Sequence, residues 1–203
     1  MTHSMNVDPN TPLEYQSSIG RLNIFGFWIF LGAEVALFAT IFATYFTLKG
    51  STGGGPLPIE VFDLKNTIVM TLLLLTSSFT SGIAIHEMRR KNVKSMIIWL
   101  IITLLFGLGF LYMEISEFIH LVHEGATLGT NAFWSSFYIL TGTHGFHVSL
   151  GIGWIILVIF QVLKRGLTPD TAKKVFISSL YWHFLDFIWI FVFTSVYLLG
   201  MVE

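Results

Sequence analysis

Five ionisable residues stand in stretches of sequence that otherwise read as hydrocarbon. His144 and His147 interrupt the apolar run from Phe133 to Leu163, within Thr141-Gly142-Thr143-His144-Gly145-Phe146-His147. His183 and Asp186 interrupt the last apolar run in Tyr181-Trp182-His183-Phe184-Leu185-Asp186, and Glu34 lies near the middle of the first. The spacing within each pair puts both members on one helix face. Three chemistries suit such a set. A neutral imidazole donating to Asp186 or to a backbone carbonyl would pin two helices together. Histidines and carboxylates on facing helices are also the donors of metal and carboxylate-bridged dimetal sites in bundles, although those sites use more carboxylates. A proton relay or its gate is the third, because ionisable groups inside a membrane serve pathways or pair with one another. Glu34 has two readings of its own: an acid hydrogen-bonded across to another helix, or a group that modulates proton entry into a neighbouring subunit.

The elements that carry these residues follow from composition. Apolar residues make up 54% of 203 and charged residues 11%, against about 25% charged in a soluble domain. Mean hydropathy is +0.73. Five runs reach the roughly 20 apolar residues needed to cross a bilayer: about 24–48, 67–85, 96–115, 133–163 and 176–201. The fold class is therefore all-α, a polytopic membrane protein with one bundle of five transmembrane helices in a single domain over 1–203. The fourth run is long and must tilt or project beyond the bilayer. The net charge of −1 supplies no field for nucleic acid. Cysteine is absent, which excludes disulfides, thiolate ligands and a cysteine nucleophile. The polar stretch Met1 to Gly20 lacks the features of a cleavable signal and reads as a short cytoplasmic tail.

Lysine and arginine cluster in the second connection (Arg89, Arg90, Lys91, Lys94) and the fourth (Lys164, Arg165, Lys173, Lys174), while the third has neither. With five spans this bias sets the N-terminus in the cytoplasm and the C-terminus outside. Glu34, His144 and Asp186 then share a roughly mid-bilayer level about 15 Å deep, with His147 and His183 about a turn nearer the cytoplasm. That coincidence of depth predicts one cluster. Glycines Gly142, Gly145, Gly151 and Gly153 would let a second backbone approach the fourth span. His86, Arg89 and Arg90 close the second span where lipid phosphates or another subunit could be held. Glu114, Glu117, Leu121 and Glu124 share a face at the outer end of the third span, read as a solvated end with Glu117 open to subunit or lipid contact. Trp28, Trp99 and Trp182 at one level, and Tyr45, Trp134 and Tyr197 at the other, are expected to form interfacial belts.

In this order and on these spans, three segments resemble subunit III of the haem–copper terminal oxidases: Phe25-Gly26-Phe27-Trp28-Ile29-Phe30 through Glu34-Val35, Thr141 through Val148, and Tyr181 through Asp186 with Trp189 following. The resemblance covers nearly the whole chain. Mitochondrial-type members have seven helices, so five looks like the shorter bacterial form. The Gly-rich first loop, Glu114-Ile115-Ser116-Glu117-Phe118, Lys164-Arg165-Gly166-Leu167-Thr168 and the ending Tyr197-Leu198-Leu199-Gly200-Met201 resemble the quinol-oxidase branch, and the surroundings of Glu34 look like the aa-type menaquinol oxidases. The resemblance implies a multi-pass protein of a bacterial cell membrane that packs on the catalytic subunit I, beside subunit II and a small subunit IV. It implies no haem, copper or other metal and no catalytic residue in this chain, with haem and copper held by the catalytic partner. It also implies bound phospholipid, and it matches Glu34 to the family's carbodiimide-reactive acid. The complex would oxidise quinol, reduce dioxygen to water and pump protons, with this subunit supporting proton uptake and the stability of subunit I. A cytochrome c oxidase subunit III remains an alternative. A stand-alone membrane enzyme or transporter using the histidine–carboxylate set is the rival from another class.

Overall fold

A computed structural model describes residues 11–200. Its helices are α1 (Ser18–Leu48), the single turn α2 (Pro58–Val61), α3 (Leu64–Arg89), α4 (Val93–His123), α5 (Ala132–Arg165) and α6 (Pro169–Val192), the last continued by a π-helical turn over Phe193–Leu198. Among the described residues, five helices are long and apolar enough to cross a membrane: α1, α3, α4, α5 and α6 with its π turn. No strand occurs among the described residues.

Each of these five starts on a side chain that accepts a hydrogen bond from its first turn. Ser17 accepts from the Gly20 amide, Asp63 from Lys65, Asn92 from Ser95, Asn131 from Trp134 and Thr168 from Thr171. Such caps satisfy backbone donors that have no intrahelical partner. They also explain why the helices outrun the apolar segments. α1 begins six residues before Ile24, α6 seven before Phe176, and α4 runs eight past Ile115. At about 1.5 Å per residue α5 is about 51 Å long, so it projects beyond a hydrocarbon core of roughly 30 Å.

The turn between α5 and α6 depends on Gly166, at φ 70° and ψ −175°, a region that only glycine occupies without strain. Gly166→Ala is expected to destabilise the α5–α6 hairpin by about 1–3 kcal/mol, seen as a lower thermal midpoint of the purified chain.

α3 packs on α4 and α6, and α5 packs on α6, α1 and α4. α1 is peripheral: only 17% of its most apolar window is buried, against 56% for α6. The chain ahead of α1 does not trail free. Its 3-10 turn over Leu13–Tyr15 packs on α6, with Glu14 buried and the Tyr15 and Phe176 rings 5.7 Å apart. Thus the expected cytoplasmic tail folds from Thr11 onward, and its first ten residues lie outside the described ones, as does the end at Glu203. At the opposite end the Gly-rich loop is held down. Pro56 accepts from the Trp134 indole at 3.1 Å and Ser51 from the Phe133 amide at 3.3 Å.

The aromatic belts are corrected by packing. Trp182, Trp134, Tyr45 and Tyr197 are buried inside the bundle, whereas Trp28 is exposed. An indole's N–H can be satisfied inside a bundle as well as at a headgroup, and here Ser77 accepts from Trp182 at 2.9 Å. Glycines likewise admit side chains and not a second backbone. Gly107 of α4 and Gly151 of α5 face the Trp182 ring, Gly145 faces the Glu114 carboxylate, and Gly142 and Gly153 face open space.

Candidate functional site

The five residues expected to form one cluster engage three different neighbours. Glu34 of α1 and His147 of α5 meet directly, with Oε2 and Nε2 3.3 Å apart. The side chains keep 14% and 12% of their surface, so the pair is largely enclosed. Phe38 packs on the imidazole at 5.3 Å between centroids, and the Tyr181 hydroxyl of α6 donates to the His147 carbonyl at 3.4 Å. The other ring nitrogen fixes the chemistry. His147 Nδ1 lies 2.7 Å from the Thr143 carbonyl, which only accepts, so Nδ1 carries a hydrogen. Nε2 faces Glu34 Oε2 across that 3.3 Å gap, a close contact between α1 and α5 in which the carboxyl oxygen has no hydrogen-bond partner.

His144 has a different task. It is fully buried, and its Nε2 donates to the Leu185 carbonyl of α6 at 3.1 Å. Its ring packs 5.2 Å from Trp189 and 5.7 Å from Phe110. Nδ1 is then left as a buried acceptor without a partner. This imidazole joins α5 to α6 and leans on α4.

His183 and Asp186 turn from α6 toward α3. His183 Nδ1 is 3.2 Å from the Ser78 hydroxyl, Asp186 has the same hydroxyl within hydrogen-bonding reach, and Asp186 Oδ1 has no partner. Sharing depth with Glu34 and His147 therefore did not bring this pair to them: α6 presents His183 and Asp186 on the side facing α3. Among the described residues no three histidine, aspartate or glutamate side chains converge as a metal-binding group.

Of the groups expected to meet lipid or another subunit, Arg89 is taken within the chain. Its Nη2 and Nε donate to Glu14 Oε1 at 2.8 and 3.1 Å. Arg90 lies 3.6 Å from Glu87, and both Arg90 and His86 are exposed. Glu117 accepts from the buried Tyr197 hydroxyl at 3.1 Å.

Two features escaped the sequence reading. Glu114 is not at a solvated end: it is 2% exposed, its carboxylate lies against Gly145, and neither oxygen has a hydrogen-bond partner. The signal was helix length, since an Asn92 cap and a Gly125 stop make α4 long enough to enclose it. The other is a buried row of small hydroxyls on α3. Thr71 accepts from the Trp189 indole at 3.0 Å, Ser77 from Trp182, and Ser81 pairs with Ser179 at 2.8 Å. With no water in the hydrocarbon, polar side chains across a helix interface answer one another. Here they lock α3 to α6 beside the imidazoles.

The comparisons with known proteins join this geometry to a lineage. The family model for cytochrome c oxidase subunit III matches residues 15–201. The chain belongs to the cytochrome c oxidase subunit III family. Among its relatives, a protein of Bacillus spizizenii named quinol oxidase subunit 3 is 62% identical over 99% of this chain and 98% of its own length. The protein of that name in Bacillus subtilis is 61% identical over the same shares. A probable quinol oxidase subunit 3 of Staphylococcus saprophyticus is 54% identical over 98% of each chain. A subunit III is a non-catalytic member of an oxidase complex.

Proposed function

We propose that this subunit III serves a proton-pumping respiratory quinol oxidase that reduces dioxygen to water, and that it supports the catalytic subunit without carrying electrons. The observation that supports this reading most is full-length identity of 61–62% to proteins named quinol oxidase subunit 3. In this reading the protein lies in a bacterial cell membrane, N-terminus inside and C-terminus outside, beside subunit I, subunit II and a small subunit IV. Haem and copper belong to the catalytic partner, and phospholipid and quinol are ligands of the complex. His86 and Arg90 at the cytoplasmic end of α3 are the groups open to lipid phosphate or a neighbouring chain. The enclosed contact between the Glu34 carboxyl and the His147 imidazole joins α1 to α5 and is the feature assigned here to supporting proton uptake.

Purification in mild detergent tests the reading. The tagged chain is expected to arrive with a haem-bearing subunit of many spans and quinol:oxygen activity; a homogeneous haem-free native preparation overturns it. Glu34→Gln tests the role of the pair. The amide keeps the size and reach of the side chain, so the contact with His147 survives while the ionisable acid is lost. Haem content should be unchanged, and proton uptake or turnover lifetime should change by a few-fold. Complete loss of oxidase activity in an assembled complex contradicts a supporting role.

A further inference from the structure

Of Glu34, His144, His147, His183 and Asp186, only His183 is exposed on the flank of the bundle. It stands in a groove of about 540 Å³ between α3 and α6, lined by Ser78, Phe79, Gly82, Ile83 and His86 among others. The ring is held from behind. Its Nδ1 lies 3.2 Å from the Ser78 hydroxyl, and Asp186, enclosed within the chain, has that same hydroxyl in reach. Nε2 is left to the groove, where no described side chain meets it. A hydrogen-bonding nitrogen that faces hydrocarbon is costly unless a polar group comes to it.

Depth decides what that group is. Ser78 stands near the middle of α3 (Leu64–Arg89), so His183 beside it is at mid-membrane whichever end is inside. His86, two turns further along, is about 12 Å nearer the end of the helix. A phospholipid keeps its phosphate and ester oxygens at the interface, so it answers His86 and lays only acyl chain over His183. The group that answers His183 must be uncharged and carried on a hydrocarbon body. A lipid-soluble quinone meets both conditions, and its two oxidation states use both tautomers of the ring. A quinol hydroxyl donates to Nε2 when Nδ1 bears the hydrogen, and a quinone carbonyl accepts when Nε2 bears it. Ser78 serves either tautomer, because a hydroxyl both donates and accepts. The walls suit a flat ring with a tail. Phe79, 70% exposed, stands at the rim as a surface for stacking. A Cβ added at Gly82 meets nothing within 4 Å, so the floor is open. Leu75, Phe79 and Ile83 line the groove as one apolar stripe of α3 along which a prenyl tail can lie.

We propose that the α3–α6 groove binds a lipid-soluble quinol or quinone, with a ring oxygen hydrogen-bonded to His183 Nε2 and with Ser78 and Asp186 positioning the imidazole. The site binds and does not oxidise: it holds quinol from the membrane beside the catalytic subunit, where electron transfer stays. The inference rests on the reading of the chain as a quinol oxidase subunit.

The test uses the whole complex in mild detergent and, as probe, a photoreactive azidoquinone carrying a prenyl tail. Illumination is expected to label this chain in the α3 and α6 peptides that flank the groove, and excess unlabelled quinone to suppress the label. His183→Leu should lower that labelling several-fold by removing the hydrogen bond, with labelling of the haem-bearing subunit as the internal reference. His183→Gln should retain most of it, since an amide both donates and accepts. Gly82→Leu fills the floor without meeting a neighbour inside the bundle. It should lower the labelling too, so the test stands even where His183→Leu fails to assemble. His86→Ala should label as wild type does. Wild-type labelling in His183→Leu or Gly82→Leu overturns the proposal. So does suppression of the label by phosphatidylglycerol and by His86→Ala, which assigns the groove to a phospholipid. Label on the haem-bearing subunit alone, in a complex with quinol:oxygen activity, overturns the proposal and leaves the functional reading standing. A wild-type chain that arrives haem-free overturns that reading first.

Discussion

Trp182→Ala will lower the thermal midpoint of the purified chain by about 6–12 °C, corresponding to a loss of about 3 kcal/mol. The indole is wedged among four helices. Its N–H is held by Ser77 of α3, and its ring edge stands where a Cβ on Gly107 of α4 would come within 2.6 Å and one on Gly151 of α5 within 3.1 Å. The loss is set at the low end of what Trp-to-Ala changes cost in soluble cores. Inside a bilayer the transfer of apolar surface from water contributes little, so what disappears is packing and one hydrogen bond. Trp182→Phe should cost less, because the ring contacts largely remain and only the Ser77 bond and part of the volume go. Gly107→Leu should cost about as much as Trp182→Ala, since the ring is fully enclosed and cannot retreat. Combined with Trp182→Ala, however, the leucine occupies space the indole has left, so the double variant should be more stable than either single one. Additive losses would place the ring somewhere other than between α4 and α5.

That prediction runs against what the sequence suggested for Trp182, and the difference is instructive. Hydropathy finds the spans because a bilayer demands about 20 apolar residues, a requirement summed over many positions. Where a single side chain points is not such a sum. Trp182, Trp134 and Tyr197 lie at levels suited to an interfacial belt, yet rotation about the helix axis carries each into the bundle. The same holds for the polar set. Spacing of three places His183 and Asp186 on one face of α6, but only packing says that the face meets α3 and not α1. Glu34 and His147, on helices that do pack together, are the pair that depth and residue type made legible.

The helix ends were legible in principle and missed in practice. Ser17, Asp63, Asn92, Asn131 and Thr168 are all capping residues, and each stands outside the apolar run it initiates. Reading the spans from hydrophobicity alone ended the third near Ile115 and put Glu114 at its outer, solvated end. The Asn92 cap and the Gly125 stop extend that helix over 31 residues, Val93 to His123, and enclose Glu114. The α3 hydroxyls were harder to see. Serine and threonine commonly satisfy themselves on their own helix backbone, as Thr76 does on Leu72, so their presence does not announce a partner. Only the matching indoles of Trp182 and Trp189, three helices later, identify the row as an interface.

Arg89→Ala is expected to release the segment ahead of α1. Glu14 is 1% exposed and its Oε1 receives both contacts from Arg89, the shorter at 2.8 Å. Removing one partner of a buried ion pair leaves an uncompensated charge, which costs about 3–5 kcal/mol where both groups are enclosed. The Arg89 side chain keeps 48% of its surface, so water already screens the pair and a loss of about 2–3 kcal/mol is the reasonable figure after that discount. The protein has a cheaper response than unfolding. The 3-10 turn over Leu13–Tyr15 is a short attachment to α6, and undocking it returns Glu14 to water. The cost should therefore appear locally, as amide exchange around Leu13–Ser17 accelerated by roughly 30- to 160-fold, with the five long helices unaffected. Glu14→Ala separates charge from packing. Without the carboxylate no buried charge is stranded, so adding Arg89→Ala to that background should accelerate exchange little further. Equal acceleration by Arg89→Ala in both backgrounds would mean that the arginine stem, and not its charge, holds the segment to the bundle.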